Sequence, residues 1–170
     1  MKKIFIILLF LSMLLSQGLS DYTFSTAESS SLAGAVVSNR GGDWSLYHNP
    51  ATLVELNRNK VFLGYSKLYS QNYLPLSSLG AIISKYKINF GIKYLSLSVK
   101  NNEIELLNED LIGIAAGFNL LEDKNSSLAM GISVNYHMIH FGKSAGVSGD
   151  GSDGLNSGMI SSTGLDLGFL

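Results

Sequence analysis

Residues 127–141 read Ser-Leu-Ala-Met-Gly-Ile-Ser-Val-Asn-Tyr-His-Met-Ile-His-Phe. Leu128, Met130, Ile132, Val134, Tyr136 and Met138 fall on one side of an extended chain, and Ala129, Gly131, Ser133, Asn135 and His137 on the other. A period of two belongs to a strand, here with one apolar face and one small or polar face. The split recurs at Ile112, Ile114, Ala116, Phe118 and Leu120 against Gly113, Ala115, Gly117 and Asn119. It recurs again at Leu165, Leu167 and Phe169 against Gly164, Asp166 and Gly168. Working outward, the pattern predicts strands at 61–70, 74–86, 88–99, 111–121, 127–141 and 159–169, with 59–170 as one antiparallel sheet.

Strands of about ten residues exceed the usual five to six and match what a tilted strand needs to cross a bilayer. Tyr65, Tyr69, Tyr73, Tyr86, Tyr94, Tyr136 and Phe141 fall near the predicted strand ends, where interfacial aromatic girdles occur. Connections 85–87 and 122–126 are short, whereas 100–110 and 142–157 are long and polar, the rhythm of periplasmic turns and outer loops. A soluble β-sandwich shows similar alternation. Strand length, low charge and the N-terminus favour a transmembrane barrel.

That N-terminus, Met1-Lys2-Lys3 followed by an apolar run to Leu15, has the layout of a secretory signal over 1–20. Cleavage after Gly18 and after Ser20 fit equally well. The run is shorter than the roughly 20 residues of a spanning helix. Residues 21–58 then form an N-terminal segment in which Asp43 can cap a short helix through Trp44 to His48. Asn49 and Pro50 provide the N-cap and first position of a second helix, from Ala51 to Leu56. The fold class expected is therefore all-β with a short helical N-terminal segment.

Of the 170 residues, 15% are charged, with 12 basic and 13 acidic side chains and no cysteine. This balance carries no electrostatic footprint for nucleic acid, and it excludes disulfide scaffolds, thiolate metal sites and cysteine nucleophiles. Gly142-Lys143-Ser144-Ala145-Gly146 has the letters of a hydrolase nucleophile elbow, but a glycine-rich loop follows where a helix is required. His137 and His140, three apart on a strand, point to opposite faces and do not make a metal pair. Asp150, Asp153 and Asn156 fit no calcium-loop spacing. The residues thus suggest no catalytic group, no metal and no cofactor. Asn119, Asn135, His137 and Asp166 are the polar candidates for the inner face, whose positions read as small or polar throughout.

The stretch from Ala33-Gly34-Ala35-Val36-Val37 through Gly41-Gly42-Asp43-Trp44 to Asn49-Pro50-Ala51-Thr52-Leu53 resembles the N-terminal motif of the PorV/PorQ-type outer-membrane proteins, within the FadL/TodX-like barrels. The family's Asn-Pro-Ala-Gly-Leu box reads Asn-Pro-Ala-Thr-Leu here. The resemblance implies a barrel of about fourteen strands with an N-terminal plug in the lumen, to which Asp43, Trp44, Asn49, Pro50 and Ala51 would belong. The six strands predicted here would then be its N-terminal part; an intact eight-stranded barrel is the alternative. The resemblance also implies outer-membrane lipid as surroundings, and a role in protein secretion of type IX kind with secretion-system proteins or exported cargo as partners. The alternatives are a FadL-like channel for hydrophobic small molecules such as long-chain fatty acids, and a secreted soluble β protein in adhesion.

Overall fold

The computed structural model describes residues 26, 28, 31–32, 35–39, 41–42, 44–85, 87–101, 104–143, 154 and 156–170. The predicted signal, Asp43, Tyr86, Ser144, Asp150 and Asp153 lie outside the described residues.

Six strands form one antiparallel sheet in sequence order: β1 (Lys60–Lys67), β2 (Pro75–Lys85), β3 (Ile88–Asn101), β4 (Ile104–Glu122), β5 (Ser127–Phe141) and β6 (Gly158–Phe169). Two predicted boundaries need correction. β1 stops at Lys67, because the chain coils into a 3-10 turn at Leu68–Ser70. The supposed loop 100–110 is instead the tip of a long β3–β4 hairpin, with Lys100 paired to Glu105 and Asn101 to Ile104. Polar and apolar residues are mixed on its faces, so hydrophobic period gave no signal. Ladder pairing holds the tip, assisted by Ser96 Oγ donating to Asn108 Oδ1 (3.4 Å) and Ser98 Oγ to Glu105 Oε1 (3.5 Å).

Before the sheet come two short 3-10 helices, Ser45–Tyr47 and Pro50–Glu55. They lie where helices were expected but are too short and tightly wound to be α. The second touches β3, β4, β5 and β6. Its side of the sheet is thereby covered, with Leu46, Leu53, Leu56, Ile82 and Ala115 forming the core. The opposite side is bare. Among the described residues no second sheet packs on it, as a sandwich would require.

The sheet also rolls toward its covered side. Lys93 on β3 and Asp166 on β6 are three strand spacings apart, about 14 Å on a flat sheet, and side chains stand roughly perpendicular to a sheet. Their Nζ and Oδ2 atoms nevertheless lie 3.8 Å apart. The roll does not close: β1 and β6 each have one neighbouring strand among the described residues. The expected closed barrel is therefore not formed by these six strands, whether fourteen-stranded or eight-stranded, because both edges keep unpaired backbone groups.

Candidate functional site

The covered face is built in rows set by strand register. One row runs Asn89, Gly117, Gly131, Gly168 across β3 to β6. Three glycines side by side leave a lane without side chains, and the start of the second 3-10 helix lies in it. A Cβ on Gly117 would come 2.9 Å from both Pro50 O and Leu53 Cβ. On Gly131 it would collide with the Pro50–Ala51 backbone itself. The lane thus requires glycine because backbone approaches backbone.

Asn49 locks the segment at one end of this lane. Its Oδ1 accepts from Ala51 N (2.9 Å), and its Nδ2 donates to Val37 O (2.9 Å) and to Phe169 O on β6 (3.1 Å). Pro50 occupies the first helical position, as its fixed φ favours. At the other end Asn89 Nδ2 donates to Leu53 O (2.6 Å) and Leu56 O (3.1 Å). Buried polar groups paired in this way avoid the penalty of unsatisfied burial.

Two rows further along the strands stand Phe62, Gly80, Lys93, Gly113, Asn135 and Gly164. Lys93 is 3% exposed and leans over Gly113, where an added Cβ would meet both Lys93 Cε and Asn135 Oδ1. Its charge is met by Asp166, whose Oδ2 also accepts from Asn135 Nδ2, while Asn135 Oδ1 accepts from Ser133 Oγ (3.0 Å). Above this cluster sits Tyr47, its ring centroid 6.0 Å from Lys93 Nζ. The Tyr47 hydroxyl lies 2.7 Å from Leu79 O and 2.8 Å from Tyr94 O. Burial pushes its pKa up to about 12. His48 is held below the ordinary histidine range, first by burial and then by the Lys93 charge, with Glu28 opposing. Trp44 packs edge-on against Phe62, with centroids 4.7 Å apart.

The structure therefore brings Trp44, Asn49, Pro50, Ala51, Asn135 and Asp166 into one assembly. His137 shares the covered face one row beyond Asn135, paired with Leu111 and Ser162. Asn119 stands apart: it is exposed at the end of β4, beside a register shift, and its Nδ2 donates to Glu122 Oε2 (3.0 Å). Lys93, Asn89 and Tyr47 escaped sequence reasoning. For Lys93 a signal existed, a lone cation on the glycine side of an otherwise uncharged strand centre.

One expectation about this face is corrected. Beyond the polar cluster Leu76, Leu95, Leu97, Leu111 and Ile139 share the covered side, and each is buried or half-buried. The face is small and polar under the N-terminal segment but aliphatic toward the β3–β4 hairpin. The polar expectation sampled strand centres only, where the segment needs room. No protein-family profile, curated protein or solved structure matches the chain.

Proposed function

We propose that this chain forms wall and plug of an outer-membrane β-barrel completed by further strands, serving protein secretion of type IX kind as the family resemblance implies. One observation carries the membrane part of this reading. On the bare face a complete row runs Val61, Ala81, Ile92, Ile114, Val134, Leu165 across all six strands, and Ile114 and Leu165 are 60% and 65% exposed. The rows on either side are nearly as apolar, with Ile83, Phe90, Ala116, Ile132 and Leu167 below, and Leu63, Leu79, Tyr94, Ile112 and Tyr136 above. A soluble monomer rarely exposes so large a continuous apolar patch.

The height of the band fits a bilayer. From Ile112 to Leu120 the outward positions of β4 span about 27 Å along the strand, or about 20 Å once tilted as in barrels, close to the ~25 Å apolar belt of such proteins. At its upper margin the Tyr94 hydroxyl donates to Asp110 Oδ1 (2.9 Å), ring toward the band and oxygen toward the polar side. This is the posture of an interfacial tyrosine. In lipid the open edges of β1 and β6 would each leave backbone groups unpaired at several kcal/mol, so further strands are part of the proposal.

The test is fractionation. Carbonate-washed outer membranes should retain the protein; recovery in the soluble periplasm would overturn the membrane reading. A second reading, a channel for hydrophobic molecules, draws support from the aliphatic patch Leu76, Leu95, Leu97, Leu111 and Ile139 on the covered face. Saturable binding of a long-chain fatty acid in nanodiscs, lost on Trp44→Ala, with no secreted protein recovered in a pull-down, would favour it over secretion.

A further inference from the structure

The β4–β5 turn carries chemistry that neither the sheet nor the N-terminal segment uses. Residues 123–127 read Asp-Lys-Asn-Ser-Ser, and Asn125-Ser126-Ser127 is the only Asn-x-Ser/Thr triplet in the sequence. The triplet is the acceptor pattern of N-linked glycosylation, in which the asparagine amide takes the sugar and the transferase reads the hydroxyl two residues on. Here an acid stands two residues before the asparagine as well. In an extended chain residues i, i+2 and i+4 line one face, so Asp123, Asn125 and Ser127 present a carboxylate, an amide and a hydroxyl to the same enzyme groove.

The folded turn leaves the acceptor amide unengaged. β4 and β5 last pair at Glu122 and Ser127, and Asp123 closes the turn between them: its N–H donates to Ser126 O (2.8 Å) and its Oδ1 accepts from Lys124 N (2.7 Å). An asparagine in a turn commonly bonds to the backbone two residues on. Asn125 does not, and its side chain makes no hydrogen bond among the described residues. Every residue from Asn119 to Leu128 is exposed, so a bulky group on Asn125 Nδ2 has solvent around it. The turn lies at the same end of the sheet as the β2–β3 turn, the end that the short connections mark as periplasmic.

We infer that Asn125 is an N-glycosylation acceptor, taking an oligosaccharide from a polyprenyl diphosphate carrier after export. Nδ2 forms a bond to the anomeric carbon as that carbon's bond to the diphosphate oxygen breaks. The amide gives up one proton to a base of the transferase, and polyprenyl diphosphate leaves with the bonding electron pair. The one-face array exists only in an extended chain, so transfer precedes closure of the β4–β5 hairpin. The exposed turn then carries the glycan without disturbing the ladder. The inference rests on the export part of the proposed function, and not on contact of the bare face with lipid.

Mass spectrometry of the full chain, purified from each fraction of its own cells, tests it. The proteolytic peptide that spans Asn125 should be heavier than its sequence by a whole number of sugar residues, and fragmentation should place the addition on Asn125. Asn125→Gln and Ser127→Ala should each abolish the addition, Ser127→Thr should keep it, and Asp123→Ala should lower its occupancy. An addition that persists in Ser127→Ala would overturn the inference. So would an unmodified peptide from protein recovered in carbonate-washed outer membranes, a result that leaves the membrane reading standing. A glycosylated peptide from protein in the soluble periplasm would uphold the acceptor and overturn the membrane reading. Unmodified protein confined to the cytoplasm would overturn both.

Discussion

Asn49 spans three roles with one amide: it caps the second 3-10 helix, ties back to Val37 and reaches the edge strand at Phe169. Removing a cap costs about 1 kcal/mol and each further lost hydrogen bond about as much again, less where the group can turn to water. Asn49→Ala should therefore destabilise the protein by about 2 kcal/mol in urea unfolding. Asn49→Asp keeps the acceptor for Ala51 N but turns a buried carboxylate oxygen toward the Val37 and Phe169 carbonyls, and should cost at least as much as alanine. Tyr47 gives a pH prediction. Its hydroxyl is an acid whose folded pKa, about 12, exceeds the ordinary 10.0, so folding favours the protonated form. That contribution is fully present below pH 10 and is lost as pH rises from 10 toward 12. An ultraviolet titration should show a late phenol ionisation near pH 12, and Tyr47→Phe should remove both that step and its share of the alkaline loss of stability.

Between residue and whole stand the elements, and here the glycine lane is decisive. Gly131→Ala places a methyl against the Pro50–Ala51 backbone, where no flexible side chain can give way, and should cost about 1–3 kcal/mol. It should also lift the segment, so that limited proteolysis releases it faster. Gly164→Ala is the control: it adds a methyl to the same face of the sheet with nothing within 4 Å, and should leave cleavage unchanged. The lane was invisible in sequence because Gly117, Gly131 and Gly168 lie on three strands, and only register makes them neighbours. Strand centres were legible, since one apolar and one small face impose a clean period of two. The hairpin tip at 100–110 was not, because polar and apolar residues are mixed on its faces and a register shift at Val99/Lys100 breaks the period of two. Asn135 and Asp166 could be placed by alternation alone. Their partner Lys93 could not, because it meets Asp166 only through the roll of the sheet, a property of no single strand.

At the scale of the whole molecule, the two faces account for the architecture together. The N-terminal segment fills the side toward which the sheet rolls, and Lys93 and Asp166 find each other there across two intervening strands. The other side carries uncharged apolar rows from edge to edge, which the proposed barrel turns toward lipid. The absence of cysteine from the sequence allows spin labels to be placed singly on β4 at Asp110, Ile112, Ile114, Ala116 and Phe118. In native membranes each label's collision rate with oxygen, which concentrates in lipid, is compared with that of a water-soluble nickel complex. The account predicts that oxygen access exceeds nickel access at Ile112 to Phe118, most strongly near Ile114, and that the order reverses at Asp110. Nickel access exceeding oxygen access at Ile114 would place the band in water, and low access to both would place it against protein; either result contradicts a lipid-facing wall.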